Sequence, residues 1–516
     1  MKRSSGILLP ISSLPSKYGI GTFGKAAYDF ADFLAASGQK YWQLLPLGPT
    51  SYGDSPYQSF STFAGNPYFI DLELLIKDEL LTVEEVEDEN WGTNPRYVDY
   101  GQIYSSRFKI LSKAKARGWS RDTAEINRFA EKNPWLETYA LFMAIKKHFG
   151  QVSWQEWPDE DIRMHKPEAC AKYTEMLKED IELYTYIQFL FFKQWDNLKK
   201  YINELEIEII GDLPIYVALD SADVWSESQF FQLDDKNYPV AVAGVPPDYF
   251  SEDGQLWGNP LYDWDAMKED GYKWWIRRIS GAAKLFDVVR IDHFRGFDEY
   301  WSVPAKDETA KNGQWLKGPG MDLVGTLQKE FPKIEFIAED LGEPSPTVVQ
   351  LLKDSQWPGM KVLEFAFDSG EPSDYQPHTY DKNCICYTGT HDNATIMEWY
   401  EDAKKSDIEY ACTYLGIGPD EEYNWGIIRG GMGSVAKLFV AQMQDYLGLG
   451  KYNRINLPGT KSGNWQWRLL EKEMDPKLAK KIKAMTKMYA RYVPTEKELK
   501  AKAAKEAKAA KEAETK

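Results

Sequence analysis

The sequence predicts an α/β fold, a (β/α)8 TIM barrel carrying large, mostly helical insertions, and three observations lead there. Short apolar runs recur along the chain, bounded by Gly, Pro and polar residues, as parallel strands buried on both faces require. Eight such runs can be assigned, and helical stretches lie between several of them, as in a barrel of βα units. The runs also end in polar clusters, and barrel active sites are built at the C-terminal ends of strands.

The runs are GILLP (6–10), YWQLLPL (41–47), IEIIGDLP (207–214), FDVVRID (286–292), IEFIAED (334–340), MKVLEFAF (360–367), NCICYTGTHD (383–392) and RINLPG (454–459). Between the first two, GKAAYDFADFLAASG places Ala27, Phe30, Ala31 and Leu34 on one helical face, with Gly38 as a stop. GYKWWIRRISGAAKLF (271–286) supplies a helix before the fourth run. After the fifth, Ser345 is placed to cap a helix whose first residue is Pro346. Residues 1–49 form the first part of the barrel. The stretch between the second and third runs is far too long for one helix, so residues 50–185 are expected to form an inserted, largely helical subdomain. Residues 186–493 complete the barrel. Within them, 215–265 carries GVPPDYFSEDGQLWGNPLY, which reads as an ordered loop able to cover the barrel mouth. Residues 494–516 are a Lys/Ala/Glu-rich tail, read as a frayed, solvent-exposed helix.

Composition narrows the function. The 516 residues are 43% hydrophobic, as in a globular protein. Nineteen Trp and 31 Tyr exceed ordinary needs, and an aromatic ring suits the apolar C–H face of a pyranose. A net charge of −17 disfavours nucleic acid and anionic membrane surfaces as partners. No apolar run approaches the roughly 18 residues of a membrane span, and that of the N-terminal segment is too short for a signal h-region. The four cysteines show no CxxC pair, and Cys384 and Cys386, two apart on a strand, suit burial better than a disulfide or metal site. A cytoplasmic location is the expectation.

The chemistry sits at the strand ends. In FDVVRIDHFRG, alternation turns Arg290 and Asp292 to the same side. An arginine beside a carboxylate favours the ionised form a nucleophile needs. The next run ends in Glu339 and Asp340, and two carboxyl groups on adjacent strand ends can flank one glycosidic bond. Asp212 of GDLP ends the third run, and His391 and Asp392 of TGTHDN end the seventh. Each signal alone is ordinary: an Arg-x-Asp is commonly a salt bridge, and an Asp before Leu-Pro a turn. Their coincidence at one end of the barrel marks a site. There is no GxxxxGK[ST] loop, no GxGxxG after the first strand, no HExxH and no GxSxG elbow, which leaves a retaining carboxylate pair. Tyr249 and Phe250, stiffened by the two prolines before them, are candidates to stack on an acceptor sugar and shed water.

Long strings of the chain resemble the 4-α-glucanotransferase family, the amylomaltases or disproportionating enzymes related to the α-amylases. These are GDSPYQSFSTFAGNPYFIDL, GDLPIYV, GVPPDYFSEDGQLWGNPLYDW, VVRIDHFRGF, AEDLG, TGTHDN and NLPGTKSGNWQWR, and the likeness runs from about residue 5 to about residue 492. The resemblance implies Asp292 as nucleophile, Glu339 as acid/base and Asp392 as the carboxylate that distorts the substrate. It implies Arg290, Asp212 and His391 around the cleaved sugar, and Tyr57, Asp248, Trp257 and Asn456 around the bound glucan. It further implies α-1,4-glucans and maltooligosaccharides as donor and acceptor, with no metal and no organic cofactor. A hydrolase of the α-amylase type with the same trio and a silent glycan-binding protein are the competing readings.

Overall fold

The computed structural model describes residues 1–51, 53–247, 251–342, 345–460 and 462–514, with side chains through residue 506. Among them are twelve strands: β1 (Ser4–Leu8), β2 (Tyr41–Gln43), β3 (Glu208–Leu213), β4 (Ala241–Val245), β5 (Gln255–Pro260), β6 (Val288–Ile291), β7 (Glu299–Pro304), β8 (Gln314–Lys317), β9 (Glu335–Ala338), β10 (Gly359–Val362), β11 (Cys384–Tyr387) and β12 (Leu438–Gln442). Eight of them pair in parallel in the order β10-β11-β12-β1-β2-β3-β6-β9. The ring is nearly closed between β9 and β10, where the Ala338 N–H donates to the Pro358 carbonyl (3.0 Å) and the Met360 N–H to Asp340 Oδ1 (2.7 Å). All residues of β1, β11 and β12 are buried, which is why these strands are apolar runs without alternation.

Seven of the eight expected runs overlap barrel strands; the eighth does not. RINLPG (454–459) is a loop, and the last strand is β12, LFVAQ. β12, four apolar residues followed by Gln442, lies between a helix at Tyr423–Gly433 and another at Met443–Leu447, so no change of periodicity sets it apart from them. RINLPG is instead held by the barrel mouth, the Asn456 N–H donating to the His391 carbonyl at 3.1 Å.

The local helix signals hold. Lys25–Ala36 buries Ala27, Phe30, Ala31 and Leu34, and Gly38 follows it with φ +73°. A helix spans Lys273–Leu285, and Ser345 caps Pro346–Ser355 through the Val348 N–H. Between β2 and β3 run helices that include Leu72–Lys77, Tyr100–Lys132, Trp135–His148 and Lys178–Glu204. The last passes through residue 185 without a break and returns the chain to β3, with Tyr201 donating to Asp32 on the first barrel helix (2.7 Å).

The described residues of the segment 215–265, read above as an ordered loop, include two strands. β4 and β5 lie within it and join β7 and β8 in a four-stranded antiparallel sheet, order β5-β4-β7-β8. The partner strands come from beyond β6, so no local pattern announces the pairing. The four cysteines are free, with Cys384 and Cys386 buried. Among the described residues no helix is long and apolar enough to cross a membrane. The tail is a helix, Glu496–Glu514.

Candidate active site

Barrel register sets the site. Asp212 on β3 pairs with Arg290 on β6, and Ile291 pairs with Ala338 on β9. The ladder then extends one residue past the strands, the Asp292 N–H donating to Leu213 O and the Glu339 N–H to Ile291 O, both at 3.0 Å. Asp292 and Glu339 therefore leave neighbouring strand ends at matched heights.

Arg290 holds the acids together. Its Nη1 donates to Asp212 Oδ1 (2.6 Å) and to Asp292 Oδ1 (2.8 Å), and its Nε lies 3.3 Å from Met360 Sδ. Burial disfavours the arginine's charge, but Asp212, Asp292 and Glu339 more than offset this and keep it cationic. Asp212 is fully buried, whereas Asp292 is 28% exposed and open to a ligand.

Glu339 is held differently. Its Oε2 accepts from the His293 N–H (2.7 Å) and its Oε1 from the Leu341 N–H (2.9 Å). Burial and the charge of Asp292 nevertheless push its carboxyl up to about 7, against the pull of Arg290 and the two amides. His293 aims its N–H by adopting a left-handed conformation, φ 48° and ψ 49°, that few residues other than glycine take up. Its part-buried ring, pushed down to about 4 by desolvation, stands edge-on to Trp257 at 4.8 Å.

The third acid lies beyond β11. Burial opposes the charge of Asp392, yet His391 and Asn456 bring its carboxyl down to about 2. His391 Nε2 lies 3.3 Å from Oδ2, and Asn456 Nδ2 donates to Oδ1 at 2.6 Å. The same ion pair holds His391 above its ordinary value despite burial. Tyr57 links this group to the first: its hydroxyl donates to Asp212 Oδ2 (2.7 Å), and its ring stacks on His391 at 5.0 Å. Trp465 tilts against both rings, at 5.8 Å from Tyr57 and 5.9 Å from His391.

The structure thus gathers Tyr57, Asp212, Arg290, Asp292, Glu339, His391, Asp392 and Asn456 into one network, with Trp257 joined through His293. Asp248, Tyr249 and Phe250 lie outside the described residues. Two contributors were not singled out from the sequence. His293 acts on Glu339 through its backbone, which no residue type announces, and Trp465 lay unassigned in GNWQWR. Among the described residues no group of three or more His, Cys, Asp or Glu could hold a metal ion.

This arrangement occurs on a chain with many relatives. Residues 9–473 match the family model described as 4-alpha-glucanotransferase. A 4-alpha-glucanotransferase from Clostridium butyricum is 49% identical over 93% of this chain and 99% of its own length. One from Streptococcus pneumoniae is 46% identical over 95% and 98%. Among solved structures, amylomaltase from Streptococcus agalactiae in complex with acarbose superposes with a TM-score of 0.94 at 42% identity, covering 95% of this chain and all of that one. With that span of identity and the carboxylates in place, the chain belongs to the 4-alpha-glucanotransferase family.

Proposed function

We propose that Asp292 and Glu339 break and remake α-1,4-glucosidic bonds by a retaining double displacement, with Asp392 binding the distorted sugar. The observation that carries this reading is the unequal treatment of two neighbouring carboxyl groups. Asp292 is ion-paired with a buried arginine, whereas Glu339 is part-buried and desolvation pushes its carboxyl up to about 7. Environments that separate two acids in this way define a nucleophile and a proton donor.

In the first step an Asp292 oxygen attacks the anomeric carbon as the glycosidic C–O bond breaks. The departing 4-oxygen takes the proton of Glu339, leaving a β-glucosyl ester on Asp292. In the second, ionised Glu339 takes the proton from the 4-hydroxyl of glucose or another glucan. That oxygen attacks the same carbon and frees Asp292, so two inversions restore the α-linkage. Asp392, held by His391 and Asn456, accepts hydrogen bonds from the ring hydroxyls most strongly in the flattened transition state. Trp257, edge-on to His293, presents a ring for the bound glucan. The reaction redistributes glucan length without net hydrolysis, which places the enzyme in maltooligosaccharide, starch or glycogen metabolism.

The test is incubation with pure maltotriose. Glucose together with a ladder of longer glucans, at a nearly constant number of reducing ends, is expected. A rise in reducing ends would identify a hydrolase with the same trio, and unchanged maltotriose a glycan-binding protein.

A further inference from the structure

Asp392 sits on a loop and its side chain is 46% exposed, yet the role proposed for it demands a fixed orientation. Within its own loop the restraints are slight: the Asp392 N–H donates to Thr390 Oγ1 at 3.3 Å, and Asn393 Oδ1 accepts from the Thr390 amide and hydroxyl. The stronger restraint comes from Arg454. Its Nη2 donates to the Asp392 carbonyl and its Nε to the Asn456 carbonyl, both at 2.8 Å. One planar guanidinium thus ties the backbone of the third acid to that of the amide holding its side chain.

The guanidinium is itself anchored. Its Nη1 lies 3.5 Å from Glu398 Oε1, with the two side chains only 21% and 13% exposed. Glu398 lies in the first turn of the helix Ile396–Asp402, and its N–H is taken by the capping Thr395 hydroxyl at 3.1 Å. The loop after Arg454 is stiffened again where the Leu457 N–H donates to Asn464 Oδ1 (2.9 Å).

We propose that Arg454, anchored by Glu398, is the positioning residue that sets Asp392 and Asn456 against the reacting sugar. The proposal rests on the reading of Asp392 given above. Two N–H groups in a rigid plane serve two carbonyls at once, which a lysine ammonium cannot do in the same geometry. A carboxylate displaced by about 1 Å loses on the order of a hundredfold in rate without losing substrate.

The test is steady-state transfer from maltotriose by the full chain. Arg454→Ala should lower kcat about 100-fold with KM within a few-fold. Arg454→Lys, which keeps the charge beside Glu398 but not the fork, should lose about tenfold, and it serves if the alanine variant does not fold. Methylguanidinium should restore part of the activity of Arg454→Ala. In an Asp392→Asn background, Arg454→Ala should cost little more, because both act through one carboxylate. Full additivity there, or a lowered melting temperature with unchanged kcat per folded molecule, would overturn the role of Arg454 alone. Wild-type kcat in Asp392→Asn by itself would overturn the reading of Asp392, and this proposal with it.

Discussion

Raising the pH through the titration of Glu339 should remove transfer from natural donors while sparing a donor that needs no proton. As the proposed acid, Glu339 must be protonated to release the 4-oxygen, and its carboxyl is pushed up to about 7 by burial and by Asp292. Above that value the acid form falls tenfold per pH unit, so near pH 9 about one molecule in a hundred retains it and kcat/KM for maltotriose drops roughly 100-fold. Initial rates of glucose release across the range give this limb. With α-glucosyl fluoride, whose leaving group departs as fluoride ion, the burst of fluoride should show no such limb. Other groups near the site also titrate: Asp392 raises His391, and burial pushes Glu364 up to about 8. A limb arising from either would affect both donors alike, so identical profiles for maltotriose and glucosyl fluoride would refute the assignment to Glu339. Stability supplies a second readout. A carboxyl whose folded value is raised from 4.5 to about 7 binds its proton more tightly in the folded state. Folding is therefore weakened progressively as the pH rises through that window, and fully above it. Glu339→Gln escapes the penalty, so its melting temperature should gain on the parent between about pH 4.5 and about pH 8. At about 1.4 kcal/mol per pK unit, a value raised from 4.5 to about 7 makes the full gain roughly 3–4 kcal/mol, a few degrees for a chain of this length. A melting-temperature difference that does not change with pH would refute the raised value.

Asp292→Asn should abolish transfer while keeping the fold, because Asp212 still pairs with Arg290. Mass spectrometry after glucosyl fluoride should find no covalent adduct, and an adduct on another acid would refute Asp292 as nucleophile. Deleting residues 496–516 should leave activity unchanged and stability within about 1 kcal/mol. Residues 496–506 are exposed, and their ties to the body include hydrogen bonds to Glu498 from Tyr492 and the Thr495 N–H, and one from the Glu496 N–H to Glu206. A fall of many degrees would show that the helix docks on the barrel.

What the sequence by itself determined follows from short-range physics. Alternation along β6 turns Arg290 and Asp292 to one side, and Ser345 with Pro346 starts a helix whatever surrounds it. The polar strand ends therefore pointed to the acids that the structure brings together, Asp212, Asp292, Glu339 and Asp392, before any packing was known. Tertiary structure decided the rest, because it depends on partners distant in the chain. β12 is a strand because β11 and β1 flank it, although its four apolar residues fit a helical stretch equally well. β4 and β5 are strands because β7 arrives from beyond β6 to pair with β4. His293 serves Glu339 through a backbone N–H, and Arg454 serves Asp392 through a carbonyl. Backbone groups are identical at nearly every position, so only the folded path of the chain reveals which of them are placed to act.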